Sequence, residues 1–136
     1  MDSSILNNGN ILVLGGSGFI GRHLHGCLVE RLGRARVIAT YNETPFAGGV
    51  RFDAMSTELW QTIHGLEKFS HAVILLANPR PDDCARNPEA SWALNVTAMK
   101  AIIDQLSESS VRPVFASTEA VFDGQRGDYV ESDPTN

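Results

Sequence analysis

Two stretches of this chain carry residue types whose spacing could do chemistry. The first is Gly15-x-x-Gly18-x-x-Gly21, inside Asn10–Gly21, which reads NILVLGGSGFIG. The second is Ser117-Thr118, a pair of hydroxyls just past the last apolar run. In the first, Gly15 allows a tight turn, Gly18 lets a pyrophosphate approach the backbone, and Gly21 lets a helix pack closely on a strand. The free amides and the dipole of that helix favour phosphates. The Lys-Ser/Thr ending of a mononucleotide P-loop is absent, so ATP or GTP hydrolysis fits poorly. A plain structural turn in an α/β protein is the alternative. The order strand, glycines, helix favours a dinucleotide.

A dinucleotide site usually offers the adenosine ribose an acidic residue at the end of the second strand. Here Tyr41 holds that position, Asn42 follows it, and the first carboxylate is Glu43. NAD and NADP therefore both stay open as cofactors. A 2′-phosphate would want a cation, and Arg22 is the nearest in sequence; its other reading is a solvated helix residue. Asp53, just past the third strand, either accepts from the adenine amino group or caps the next helix.

The elements that must position these residues follow from periodicity. Ile11–Leu14 is a continuous apolar run, as in a strand of a parallel sheet covered on both faces. From Phe19 the period changes: Ile20, Leu24, Leu28 and Leu32 recur every fourth residue, with Cys27 beside them. Gly33 ends this helix, and Gly26 within it is either a cost or a point of close contact with the sheet. Arg36–Tyr41 and Val50–Phe52 are the next strands, separated by a loop over Asn42–Gly49. Ser56 is placed to cap a helix whose stripe is Leu59, Trp60, Ile63 and Leu66. Ala72–Ala77 is the fourth strand and Asn78–Asn87 a polar loop. Pro88 opens the longest helix, with Trp92, Val96, Met99 and Ile103 on its stripe and Leu106 adjacent. Val111–Ala116 is the fifth strand. This alternation predicts an α/β fold, a Rossmann-type doubly wound parallel sheet of order 3-2-1-4-5.

The chain has 136 residues, room for one domain with a core. It is 43% apolar and 20% charged, with a formal net charge of -5. That acidic balance argues against non-specific nucleic-acid or anionic-membrane partners. Residues 1–9 read as a polar tail without a secretory leader, which makes a cytoplasmic address the default. Cys27 and Cys84 do not make a disulfide framework, and His23, His25, His64 and His71 show no zinc spacing, so no metal is expected.

Taken together, these residues resemble the N-terminal part of an extended short-chain dehydrogenase/reductase, the NAD-dependent epimerase/dehydratase superfamily. GGSGFIG matches the family's glycine pattern, which implies cofactor contacts at Gly15, Gly18, Phe19, Ile20 and Gly21. Phe52-Asp53 resembles the adenine-contact position, followed by Ala54. Leu76-Ala77-Asn78 stands where the family passes the nicotinamide ribose, and Asn95 matches the family's helix asparagine. Ala116-Ser117-Thr118 resembles the active-site serine/threonine segment. The stretch STEAVFDGQRGDYVESDPTN is similar to that of dTDP-4-dehydrorhamnose reductases, which reduce the 4-keto group of a nucleotide-linked deoxysugar. Glu119, where those reductases usually carry aspartate, and Ala77-Asn78-Pro79 depart from their pattern.

Thr118, at the carboxyl edge of the sheet, could hydrogen-bond a substrate carbonyl or alcohol while the nicotinamide carries the hydride. Its bland reading is a turn or cap hydroxyl. Ser117 would support cofactor or loop geometry. Asn95 is most simply a structural hydrogen bonder; the resemblance implies support of the active site through water. Phe122 and Tyr129 either pack the tail or line a sugar-nucleotide cleft. The family's acid is a tyrosine followed four residues later by lysine, and no such pair occurs here. The expectation is therefore a fragment: a dinucleotide-binding domain over 10–118 and a tail over 119–136 that leads toward a missing catalytic pair. The substrate would be a sugar nucleotide, and an uncovered fifth strand predicts a homo-oligomer. Two other readings are a non-catalytic dinucleotide-binding or regulatory subunit and an α/β domain with no ligand.

Overall fold

In the computed structural model, the long apolar runs form the central strands and Gly33 caps the first helix. The structure describes residues 9–135, so the expected N-terminal tail, Gly9 apart, lies outside the described residues. The strands are β1 (Asn10–Leu14), β2 (Val37–Tyr41), β3 (Gly49–Arg51), β4 (Phe69–Ile74) and β5 (Arg112–Phe115). The helices are α1 (Phe19–Leu32), α2 (Leu59–Thr62), α3 (Pro81–Arg86), α4 (Pro88–Trp92) and α5 (Met99–Glu108). The sheet is five-stranded, in the order β3-β2-β1-β4-β5. Every pairing is parallel, so the carboxyl ends of all the strands share one edge. The expected 3-2-1-4-5 order is the observed one.

Side chains alternate across the central strand. Leu12 and Leu14 join Leu59, Ile74, Ile102 and Leu106 on one face. Ile11 and Val13 join Val37 and Ala39 on the other, beneath Leu24, Leu28 and Leu32 of α1. β1 is thus buried on both faces, which explains its unbroken apolar sequence. β5 is the opposite case: each of its residues is exposed, and it forms an edge of the sheet.

Several boundaries differ from those the sequence suggests. β4 begins at Phe69 rather than Ala72 and ends at Ile74, three residues short of Ala77. The Leu75 amide still donates to the Leu14 carbonyl at 2.8 Å, after which the chain leaves the ladder. α2 is a single turn, because Gly65 adopts a left-handed φ of 75° and starts a 3-10 turn over Leu66–Lys68. Ile63 and Leu66 remain buried while Trp60 is exposed. Ser56 does not cap it: the N-cap is Glu58, without a side-chain bond. The polar loop Asn78–Asn87 contains α3, started by Pro81 with Asp82 and Asp83 in its first turn, where acids suit the helix dipole. The longest helix is interrupted by a π-helical segment, Ala93–Ala98. A π turn adds a residue and rotates the stripe. Ala98, Met99, Ile102 and Leu106 face the core, and Trp92 and Val96 stay exposed. Gly26 makes no close contact with the sheet; a Cβ there would meet nothing within 4 Å.

Candidate functional site

The glycine turn sits at the carboxyl edge of the most buried strand. Gly15 has φ of 90°, a conformation that L side chains rarely adopt, and the Gly18 amide closes the turn on the Gly15 carbonyl at 3.1 Å. A Cβ on Gly15 would lie 3.0 Å from the Leu75 carbonyl carbon and the Leu76 nitrogen, so the turn passes tightly beside the end of β4. A Cβ on Gly21 would lie 2.1 Å from the Gly15 carbonyl oxygen, which is the close helix-on-strand packing that the motif requires. Gly18 is different. It is exposed, and a Cβ there would meet the Gly15 carbonyl oxygen at 3.3 Å and nothing else within 4 Å. The turn is therefore packed on its protein side and open at Gly18, where a side chain would fill the space that a pyrophosphate needs. Gly18 is also the N-cap of α1 and gives it no side-chain cap, leaving first-turn amides for an anion. These residues fit the phosphates of a dinucleotide.

Thr40 is a member of this site that the motif does not announce. It is buried at 1% exposure, and its Oγ1 accepts from the Gly15 amide at 3.2 Å. A lone hydroxyl in an apolar strand beside a glycine turn is the signal that could have pointed to it.

At the end of β2, Tyr41 is half-buried and its ring meets Phe46 edge-on, with centroids 6.1 Å apart. Phe46 in turn meets His25 of α1 at 5.4 Å. Burial and the nearby Arg34 charge lower the His25 pKa. Arg22 is exposed and its Nε donates to the Ser17 carbonyl at 2.8 Å, so the guanidinium lies against the turn. The Tyr41 carbonyl accepts from Phe52, which leads into Asp53. Asp53 Oδ1 accepts from the Met55 amide at 3.0 Å, and its carbonyl from Ser56 and Thr57. Asp53 thus organises a turn, holding Ala54 within it, rather than capping α2.

At the end of β4, Leu76 and Ala77 lead to Asn78. Asn95, on the π-helical segment, grips Asn78 from both sides. Its Oδ1 accepts from the Asn78 amide at 2.8 Å and its Nδ2 donates to the Asn78 carbonyl at 3.0 Å. The Cys84 thiol lies 3.6 Å from the same carbonyl. Asn95 thus ties the π-helical segment to the chain that follows β4. π segments recur at functional sites because they re-aim side chains that an α-helix would point elsewhere.

Ser117 and Thr118 follow β5 at the same edge and both are exposed. Thr118 caps a 3-10 turn over Glu119–Val121: its Oγ1 accepts from the Ala120 amide at 3.2 Å and donates to Glu119 Oε2 at 3.2 Å. Beyond it the tail is tied to itself. Phe122 stacks on Tyr129 with centroids 4.5 Å apart, and Arg126 lies 5.0 Å from the same ring. The Tyr129 hydroxyl donates to Asp123, which with the Gln125 amide lowers the Asp123 pKa.

The fold therefore brings Gly15–Gly21, Tyr41, Asp53–Ala54 and Leu76–Asn78 to the strand ends of one sheet edge, with Asn95 behind Asn78. Phe19 and Ile20, at 97% and 63% exposure, lie on the open side of α1. Among the described residues, no cluster of His, Cys, Asp and Glu could hold a metal ion. No helix among them is long and apolar enough to cross a membrane.

Comparison with known proteins agrees with this geometry. The NAD dependent epimerase/dehydratase family matches residues 11–136, and the chain belongs to that family. A search of curated proteins gives no match. Among solved structures, a hypothetical dTDP-4-dehydrorhamnose reductase from Sulfolobus tokodaii is 28% identical with a TM-score of 0.78, over 93% of this chain and 45% of that one. MoeE5 in complex with UDP-glucose and NAD is 28% identical with a TM-score of 0.79, over 94% of this chain and 42% of that one. MoeE5 with UDP-glucuronic acid and NAD aligns equally well, over 94% of this chain and 43% of that one. The chain thus spans less than half the length of these relatives.

Proposed function

We propose that this member of the epimerase/dehydratase family supplies the dinucleotide-binding part of an NAD(P)-dependent oxidoreductase or epimerase. The whole protein would act on a nucleotide-linked sugar, in the manner of dTDP-4-dehydrorhamnose reductase. The observation that carries this reading is the glycine turn: packed beneath, pinned through Thr40, and open at Gly18. Its neighbours at the sheet edge support it, as do the NAD-bound relatives of the same fold.

In this reading residues 10–118 are the binding domain and 119–136 a tail beside it. The backbone of Gly15–Gly21 holds the pyrophosphate, Asp53 and Ala54 meet the adenine, and Leu76–Asn78 border the nicotinamide ribose. The bound dinucleotide supplies the hydride. Asn95 keeps the Asn78 backbone in place. Thr118 directs its hydroxyl to the substrate oxygen after leaving its local bonds, and Ser117 steadies the strand end. The exposed edge of β5 favours association with a second copy.

A second reading is a non-catalytic dinucleotide-binding or regulatory subunit. In it the same glycine turn holds the cofactor without a reaction following, and Tyr129 packs between Phe122 and Arg126. Both readings require a dinucleotide. Titration of the folded chain with NADH and NADPH, read by reduced-nicotinamide fluorescence, tests them. Saturable binding of at least one cofactor is expected; no binding at millimolar concentration would contradict both. Catalysis is then separated from binding by assaying the whole protein for turnover of a 4-keto sugar nucleotide.

A further inference from the structure

The adenosine end of the site has a charge that the glycine motif does not dictate. β2 ends in Tyr41-Asn42, so a ribose diol would find no carboxylate there to accept its hydroxyl protons. Instead the surrounding ionisable groups are mostly cations. Arg51 is the register partner of Tyr41 on β3 and is exposed. Residues in register in a parallel pair share a face of the sheet. That face is α1's, because Tyr41 meets Phe46, and Phe46 packs in the cluster beneath α1. Arg22 lies one helical turn before His25, on the flank of α1 that meets Phe46. Its Nε is tied to the Ser17 carbonyl, which anchors the guanidinium plane over the glycine turn. Arg34 closes the far side of the loop: a Cβ on Gly48 would lie 2.7 Å from its Nη1. Against these stand two carboxylates: Glu43, the single one between Asn42 and Gly49, and Asp53, whose Oδ1 accepts from the Met55 amide.

Resting on the dinucleotide reading above, we propose that this edge is a 2′-phosphate subsite and that the cofactor is NADP(H), with Arg22 and Arg51 holding the phosphate beside the Tyr41 ring. A guanidinium suits a phosphate because it is always charged and presents donors in a planar fork. An NAD-selective site needs the opposite: a carboxylate that accepts from both ribose hydroxyls and repels a 2′-phosphate.

The test is a pair of titrations on the same folded sample, NADPH against NADH, with 2′,5′-ADP against 5′-ADP as probes free of the nicotinamide. NADPH and 2′,5′-ADP should bind about tenfold or more tightly than their partners, the size of a charge-assisted contact. Their advantage should shrink as salt is raised from 50 to 500 mM, roughly, because exposed charges are screened. R22Q and R51Q should each reduce the NADPH-to-NADH ratio several-fold, and R22K should keep more of it than R22Q. R51Q sits at an exposed strand position and guards against a folding defect of the Arg22 variants. Equal affinities, or a preference for NADH, would overturn the subsite while leaving the dinucleotide reading intact. A ratio unmoved by either variant would overturn the assignment to these arginines. No binding of any probe would overturn the dinucleotide reading, and the subsite with it.

Discussion

The glycine turn and the Ser117–Thr118 segment sit at the same edge of the same sheet, yet they are built in different ways. The turn is fixed by distant parts of the chain. Thr40 holds the Gly15 amide, the backbone at Leu75–Leu76 abuts Gly15, and Ala39 abuts Gly16. The hydroxyl segment is fixed by its immediate neighbours, Glu119 and Ala120, at the end of an exposed strand. Phosphate binding needs backbone amides held rigidly in space, and long-range packing supplies that rigidity. A hydroxyl that must reach a substrate gains from being held by local bonds that it can exchange. The two regions thus differ in how they are held as well as in chemistry.

The sharpest way to break this contrast is Gly21→Ala. Its Cβ would stand 2.1 Å from the Gly15 carbonyl, and backbone cannot yield as a flexible side chain can. A loss of about 3 kcal/mol or more is expected in urea unfolding, at the upper end of overpacking costs, together with loss of cofactor binding. Near-native stability would show that the turn is not the rigid member of the pair. Asn95→Ala comes next. It removes both bonds to Asn78 and should cost about 1–3 kcal/mol, the usual range for leaving partly buried backbone groups unpaired. Amide exchange at Asn78 should rise more than the global stability falls; equal change everywhere would make Asn95 a general core residue.

The smallest effect expected is in the tail. The Tyr129 hydroxyl and the Gln125 amide hold the Asp123 carboxyl below its ordinary value. Its contribution is therefore full above the ordinary carboxylate range and fades as pH falls through the folded value. NMR signals of the Phe122 and Tyr129 rings should lose their stacking shifts on acidification from about pH 5 to pH 2, while those of Leu12 and Leu14 persist. Simultaneous loss in both places would mean that the tail is part of the main cooperative unit.

The difference between the regions also governs what could be read in advance. β1, its glycines and α1 follow from local pattern, because burial on both faces and a glycine-only turn leave distinct marks in sequence. The strand order followed from the same alternation. The π-helical segment did not, because the contact made from it, Asn95 on Asn78, joins residues that no periodicity links. The stripe through Trp92 and Val96 was misplaced for that reason. α3 was hidden by the prolines around it, which read as loop but start a helix when they stand at its first position. Thr40 was hidden because one hydroxyl in an apolar strand resembles filler until its partner amide is known. The Thr118 hydroxyl caps the 3-10 turn over Glu119–Val121, a local bond common to hydroxyl side chains in turns.

The most direct measurement is a backbone amide NMR titration of the folded chain with NADPH. The largest shifts should fall on Gly15–Gly21, Tyr41 and Asp53–Ala54, with those of Asp123–Asp133 unmoved. Shifts centred on the tail, with the glycine turn unchanged, would contradict the assignment of cofactor binding to the turn.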